Sequence, residues 1–543
     1  MNNKYSSIKK RLDFLYNRRD SEKAFEGLKK VIGKYDNIKK KGKMFSNKDA
    51  VLITYADIVK EKGVKPLKTF NKFSKKLKGI NTVHFLPFFP YSSDDGFSII
   101  DYREVDPKLG GWKDVKNIGK DFELMFDFVL NHMSANSRWF KKFLKGNPNY
   151  KNYFIEIDKG RDLSDVFRAR KSPLVHRFDG KNIWTTFSKD QVDLNYKNPK
   201  VLVEMIDILL FYVKKGAKII RLDAIAYLWK KIGTGCVHLK ESHEVVKLMR
   251  DILNIVNPNV ALITETNVVH KDNISYIGED EAQMVYQFPL PPLVLHAFYK
   301  GNANYLLKWI DSIGNLPKGM CFFNFLASHD GIGLLGAKGL IPEKERKELC
   351  DAAKEKKGFI QYKECKGKEY PYELDINYFD ALAEDDKLDV KRFLAAHAIA
   401  FSLAGVPGIY FHSLVGSRGW REGVKNTGIK RKINREKLRW KKLKKELKDK
   451  DSRRYKIFNG ISKMLKIKKK LKAFEPEADQ KVLSVDHRIF SIERGKGKNK
   501  IIALINITDE KIILRKKFKR NDLISGKKFE NVLEPYQAVW ISP

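Results

Sequence analysis

Cysteine is scarce: four in 543 residues, at positions 236, 321, 350 and 365. So few cannot staple a chain of this size, and their spacing fits no zinc pattern. The sequence reads as one for a reducing compartment, the cytoplasm. Long apolar runs are missing too. No stretch reaches the ~18 residues of a membrane span. The opening MNNKYSSIKK has no apolar export core, so a soluble chain with no membrane partner is expected. Acid is in short supply, with 66 Asp+Glu against 107 Lys+Arg and a formal charge of +41. What the chain does have is core material. At 43% hydrophobic and 12% aromatic it is neither disordered nor fibrous, and its length implies a large central domain with smaller ones attached.

The basic surplus raises a nucleic-acid hypothesis, which its distribution weakens. Residues 437–472 hold 17 Lys/Arg against 3 Asp/Glu, whereas residues 281–340 hold 4 against 3. In the basic stretch Leu443, Leu447, Ile457, Ile461, Leu465 and Leu471 recur at roughly helical spacing, as on a helix with a solvated lysine face. Lysine outnumbers arginine and aromatic interleaving is thin. No zinc finger, RNP signature or Gly-rich phosphate loop is present, so no nucleic-acid partner is expected.

Eight short apolar runs organise the middle of the chain: 50–58, 82–89, 124–132, 217–225, 260–266, 282–288, 322–330 and 405–411. Most are separated by segments of helical periodicity such as NPKVLVEMIDILLFYVKK. Nearly continuous apolar runs mark parallel strands covered on both faces, and eight strand–helix units predict an α/β chain folded as a (β/α)8 TIM barrel. The expected division is a helical extension (1–49), the barrel (50–132, 191–330 and 391–473), inserted subdomains on the catalytic face (133–190 and 331–390) and a C-terminal antiparallel β-domain (474–543).

Polar residues cluster where such a barrel would have its mouth. Asp127, Asn131 and His132 end the third run, Arg221 and Asp223 lie in the fourth, Glu265 in the fifth, and His329 with Asp330 end the seventh. A carboxylate flanked by Ile219, Ile220 and Leu222 is costly unless paired, and Arg221 is a nearby partner. Any one acid reads equally as a strand-end cap or salt bridge. Three acids from three strands suit glycoside chemistry, which needs a carboxylate nucleophile and a protonated acid.

The segments DFVLNH, IIRLDAIAYLWK, ITET and FLASHD resemble the four sequence regions of glycoside hydrolase family 13, the α-amylase family. SSDDGFSIIDYREVDPKLGGW, TTFSKDQVDLNY and INREK resemble its sucrose phosphorylase subfamily, and the likeness covers roughly residues 50–440. The resemblance implies that Asp223 is the nucleophile, Glu265 the general acid/base, and Asp330 the third carboxylate gripping glucose hydroxyls. It implies that Arg221 keeps the nucleophile ionised through a lowered pKa, and that His132 and His329 bond glucose hydroxyls. Asp94 and Arg435 would close the far end of the pocket as a pair, Phe97 would be an aromatic platform and Gln191 a polar contact. Read alone, Phe97 is equally a core residue and Gln191 a loop anchor. Neither metal nor organic cofactor is required by the chemistry implied.

The run Ser93, Asp94, Asp95, Gly96, Phe97 departs from the sucrose-specific pattern, and Thr266 follows the glutamate where sucrose-specific members often carry histidine. The surrounding motifs look closer to the glucosylglycerate phosphorylase branch. That branch implies a retaining transfer of glucose from 2-O-α-glucosylglycerate to inorganic phosphate, giving α-D-glucose 1-phosphate. An anion site is then needed for glycerate and for phosphate. Arg168 and Arg170 in the first insertion, His238 after the fourth strand and Lys363 in the second insertion are its candidate donors. Each of the first three reads equally as a loop residue with no such task. Phosphorylases of sucrose 6-phosphate, sucrose or glucosylglycerol, an α-glucosidase using water, a sugar-binding module and a basic nucleic-acid-binding protein remain open. The partners implied are the glucoside and phosphate, with a homodimer left open.

Overall fold

Each of the eight apolar runs supplies one strand of a closed parallel barrel. The strands are β1 (Val51–Thr54), β2 (Thr82–Phe85), β3 (Glu123–Val129), β4 (Ala217–Asp223), β5 (Ala261–Thr264), β6 (Met284–Tyr286), β7 (Cys321–Phe325) and β8 (Val406–Tyr410). They follow one another round the barrel in chain order, and β8 closes against β1 with Gly408 opposite Val51. This computed structural model describes residues 3–38, 42–168, 170–314, 316–365, 368–515, 517–518 and 520–542.

The burial of the strands explains their composition. β1, β2, β5 and β8 are buried at every position, because helices cover the outer face and side chains fill the lumen. Alternation still operates within this uniform burial. Along β4, Arg221 and Asp223 are two residues apart and share a face, while Leu222 turns to the other. Pairing sets Asp127 of β3 opposite Arg221, and Ile263 of β5 opposite Arg221 on the other side. The strand register thus brings charge into the lumen near the C-terminal rim.

The outer layer includes the helices Pro199–Lys214 and Lys240–Val256. Pro199 opens the first, and the Asn198 side chain accepts from Lys200 N, a strong N-terminal signal. Two N-terminal helices, Ser6–Leu15 and Arg18–Gly33, lie outside these. Their apolar stripe (Ile8, Leu12, Leu15, Leu28, Val31, Ile32) is buried, and a Cβ on Gly27 would stand 3.2 Å from Val203. Arg11 spans Glu244 at 3.1 Å, Asp251 at 3.4 Å and Asp280 at 2.8 Å, tying the first helix to the barrel.

Two excursions leave the barrel on the same face. After β3 the chain forms a short antiparallel ribbon, His132–Ser134 against Gln191–Asp193, and a hairpin, Val175–Phe178 with Lys181–Trp184. After β7 it forms the helix Glu343–Glu355 and a three-stranded antiparallel sheet of Ile332–Gly333, Phe359–Cys365 and Lys368–Asp375. The basic stretch does not form one helix. Leu438–Arg439 is extended, and the helices Trp440–Glu446 and Arg453–Lys468 are separated by a break, with Ser452 capping the second.

Near the C-terminus, strands Gln480–Val482, Ile489–Arg494, Ile501–Asn506 and Ala538–Ile541 form an antiparallel sheet. Buried Arg494 latches it to the barrel by donating to the carbonyl of Ser402 at 2.9 Å, and braces the connecting segment through the carbonyl of Glu475, also at 2.9 Å. Trp540 Nε1 donates to Ser402 Oγ at 2.8 Å.

Candidate active site

A cavity of about 560 Å³ opens at the C-terminal rim of the barrel, between the two excursions. Its floor is organised by Arg221. That guanidinium bonds Asp127, reaches Asp223 Oδ1 at 2.7 Å through the same Nη1, and holds Glu265 Oε2 at 3.7 Å through Nη2. His84 Nε2 donates to the other oxygen of Asp127 at 2.7 Å. Asp127 and His84 are fully buried, so this pair fixes the guanidinium from below.

The backbone helps to aim the acids. Ala224, directly after Asp223, has φ +51°, a left-handed conformation that costs a non-glycine residue ~1 kcal/mol or more. That twist points its N–H at Glu265 Oε2, 3.3 Å away. The strain sits between the two carboxylates.

Asp223 departs from the expectation of a depressed pKa. Burial pushes it up, Arg221 pulls it back, and the charges of Glu265 and Asp127 push further, leaving it at about 8. Burial also raises Glu265, with Asp330 adding to the rise against Arg221. The guanidinium is shared among three carboxylates and cannot hold them all ionised. The pair relieves its repulsion by keeping one proton between its members. Asp330 behaves oppositely. Burial opposes its charge, but Arg431 and the other cations around it more than offset that and hold it well below the usual carboxylate range.

Arg431 Nη1 and Arg435 Nη2 stand 2.9 and 3.0 Å from the same oxygen of Asp330. Arg431 forks onto Glu373 at 2.9 and 2.7 Å, linking Asp330 to the second excursion. Glu373 also accepts from Gly331 N at 3.1 Å. Gly331 has no room for a side chain: a Cβ would lie 2.5 Å from Leu374 O, so the hairpin backbone presses on the residue after Asp330.

One wall of the cavity is aromatic. The Phe97 ring stacks on His329 with centroids 5.0 Å apart and planes 7° apart, and Arg221 lies 5.7 Å from the Phe97 ring. His132 Nε2 donates to Phe97 O at 3.1 Å, and Gln191 Nε2 donates to Asp94 Oδ2 at 3.3 Å. Burial lowers His132 to about 4 and His329 to about 3, so both imidazoles are neutral near pH 7. Asp193 anchors the ribbon behind them by accepting from Lys230 at 2.7 Å and Thr186 Oγ1 at 2.6 Å.

Of the residues expected at the site, Asp94, Phe97, His132, Arg170, Gln191, Arg221, Asp223, Glu265, His329, Asp330, Lys363 and Arg435 all line this cavity. Two do not. Arg168 braces its own loop through the carbonyls of Lys171 and Ser172, and His238 sits against Tyr276, with Nδ1 3.2 Å from its hydroxyl. His132 does not end a barrel strand; it starts the ribbon that pairs it with Asp193. The expected pairing of Asp94 with Arg435 is present, but a shorter one to Asp95 stands beside it. Arg435 Nη1 is 2.7 Å from Asp95 and 3.8 Å from Asp94, because left-handed backbone at both aspartates swings Asp95 toward Arg435 and leaves Asp94 nearer to Arg170 and Gln191.

Sequence reasoning missed Asp95 as the closer partner, together with His84, Arg431, Glu373, Tyr227 and Tyr286, all but Asp95 lining the cavity. Arg431 lies two residues before the INREK motif, in the short 3-10 helix Lys430–Asn434 that runs into it, and that nearness was its one available signal. Among the described residues, no three His, Cys, Asp or Glu side chains converge to hold a metal ion.

The profile of the α-amylase catalytic domain matches residues 72–338. The chain is 51% identical over 472 residues to the glucosylglycerate phosphorylase of Spirochaeta thermophila, covering 85% of this chain and 80% of that protein. It is 44% identical over 548 residues to the glucosylglycerate phosphorylase of Allomeiothermus silvanus, covering 98% of each. Among solved structures, that of sucrose 6F-phosphate phosphorylase from Thermoanaerobacter thermosaccharolyticum matches with TM-score 0.75 at 26% identity, over 89% of this chain and 98% of that one. With its barrel, its acids and these relatives, the chain belongs to the α-amylase family, glycoside hydrolase family 13.

Proposed function

We propose that this enzyme is a retaining α-glucosyl phosphorylase acting on 2-O-α-glucosylglycerate. The observation that carries the reading is the shared guanidinium of Arg221, which meets both Asp223 and Glu265 at the floor of a cavity large enough for a small glucoside. The likeness to two phosphorylases named for glucosylglycerate supports the choice of substrate.

In this mechanism Asp223 attacks C1 of glucose while Glu265 gives its proton to O2 of the departing glycerate. The C1–O2 bond breaks and a glucosyl–Asp223 ester forms. Phosphate then enters the space that glycerate left. Its oxygen attacks C1, its proton passes to Glu265, and Asp223 departs as carboxylate. Two inversions give net retention. The proton shared by the acid pair is what the first step consumes. Arg221 lies closer to Asp223 than to Glu265, which places the charge on the nucleophile and the proton on the acid. Asp330 stays ionised for the glucose hydroxyls, with neutral His132 and His329 beside it and Phe97 as the apolar platform. The need for free phosphate and the three buried, unpaired thiols of Cys236, Cys321 and Cys350 suit a cytoplasmic setting.

The test is glucose 1-phosphate release from a panel of glucosylglycerate, glucosylglycerol, sucrose and sucrose 6-phosphate, with and without phosphate. The expected result is phosphate-dependent release with glucosylglycerate far ahead. Glucose release at the same rate without phosphate would sink the phosphorylase reading.

A further inference from the structure

The cations lining the cavity are nearly all engaged. Arg221, Arg431 and Arg435 hold carboxylates, Arg170 holds Asp94 at 3.3 Å, Lys171 pairs with Glu369, and Lys430 donates to Ile360 O at 3.2 Å. Lys363 stands apart. Among the described residues it has neither a carboxylate within ion-pair distance nor a carbonyl acceptor; its ammonium lies 4.1 Å from the Tyr372 ring centroid and 4.9 Å from that of Phe167.

Those two rings come from different excursions, so Lys363 bridges the rim from above. Phe167 is fixed by its N–H to Gly235 O at 3.0 Å, and the Tyr372 hydroxyl accepts from Asn267 Nδ2 at 3.4 Å, two residues beyond Glu265. The ammonium is therefore seated by aromatic faces on the acid/base side of the cavity, with its hydrogen-bond donors unspent. Burial lowers Lys363 to about 8, with Glu373 and Glu265 the carboxylates that partly restore its charge. It is a cation kept short of an anion.

The chemistry of the two substrates supplies that anion twice. In glucosylglycerate the carboxylate is attached to C2, the carbon bearing the glycosidic oxygen. In phosphate the charged oxygens are attached to phosphorus, the atom bearing the attacking oxygen. The charged oxygens lie two bonds from the attacking oxygen in phosphate and three bonds from the glycosidic oxygen in glycerate, so in both negative charge sits close to the oxygen that Glu265 protonates or deprotonates. Resting on the function proposed above, we infer that Lys363 is the specificity-determining anchor for both, holding the glycerate carboxylate in the first half-reaction and phosphate in the second. An acceptor without charge at that position gains nothing from it.

The experiment compares the full-length enzyme with Lys363→Gln and Lys363→Arg. Three quantities are measured: kcat/KM for phosphate, kcat/KM for glycerate in the reverse direction from glucose 1-phosphate, and inhibition by glucose, which is neutral. The Gln variant is expected to lose about ten- to a hundredfold toward phosphate and glycerate alike, the range for a charge-assisted hydrogen bond. Glucose inhibition should stay unchanged, and Arg should restore much of the loss. Loss toward only one anion, no loss, or an equal loss of glucose inhibition overturns the assignment. A wild-type enzyme that uses phosphate but ignores glycerate overturns the substrate reading instead, and Lys363 then stands or falls on the phosphate measurement.

Discussion

Arg431 Nη1 lies 2.9 Å from Asp330 Oδ1, and the same guanidinium grips Glu373, a carboxylate with 1% of its side chain exposed. One arginine thus compensates an acid of the barrel rim and an acid of the second excursion.

Removing Arg431 would leave a buried charge without its partner. Arg431→Met is expected to destabilise the protein at the lower end of the ~3–5 kcal/mol seen for broken buried pairs. Much of that should return in Arg431→Met with Glu373→Gln. Thermal melts of the single and double variants measure both. Equal melts for the two would contradict the compensation.

Leaving-group chemistry separates the two central acids. Glu265→Gln should slow turnover of glucosylglycerate about 10²–10⁴-fold, the usual contribution of general acid catalysis. It should cost far less for a glucoside whose leaving group needs no proton. Asp223→Asn should be equally inactive on both. Steady-state rates with α-glucosyl fluoride and with the natural donor provide the comparison.

The acid pair also predicts a pH profile. kcat/KM for the glucoside reports only the steps through glucosyl transfer to the enzyme, so the ionisation of phosphate does not enter. The profile should be bell-shaped, with the alkaline limb at about 8, where the pair loses its last proton. In Glu265→Gln only the share of that limb due to Lys363 should remain, and in Glu265→Gln with Lys363→Gln the limb should vanish. The acid limb should also move down, because Glu265 no longer raises Asp223. An alkaline limb that survives in the double variant would remove the assignment.

Asp223 is held at a cost. The pair it forms with Glu265 keeps its last proton up to about 8, so the pair's contribution to stability is full below the ordinary carboxylate value near 4 and is lost as pH rises toward about 8. Asp223→Asn escapes that loss. It should melt a few degrees above wild type near pH 7.5, an advantage that closes toward pH 4. A variant no more stable than wild type at pH 7.5 would count against the raised pKa.

The barrel was legible because its signal is local. A strand buried on both faces is written as a continuous apolar run, and all eight runs held a strand. The acids at their ends were legible for the same reason. What a run cannot state is how distant loops meet. Arg431 and Glu373 are 58 residues apart, and nothing in either neighbourhood names the other. Adjacent Asp94 and Asp95 could not be told apart either, since the choice rests on two left-handed dihedrals rather than on composition. Arg168 and Arg170 are likewise two residues apart in one polar loop, yet Arg170 enters the cavity and Arg168 turns to carbonyls of its own loop.

The Arg11 tie carries a consequence for synthesis. Its acidic partners at 244, 251 and 280 emerge from the ribosome more than 230 residues later. At ~5–20 residues per second, that is a wait of about 12–50 s. Throughout it, Ile8, Leu12, Leu28 and Val31 belong to helices whose docking surface is unfinished. A segment made more than 230 residues before its partners is among the last to be seated, and the nascent chain carries a greasy amphipathic stripe that chaperones would have to shield.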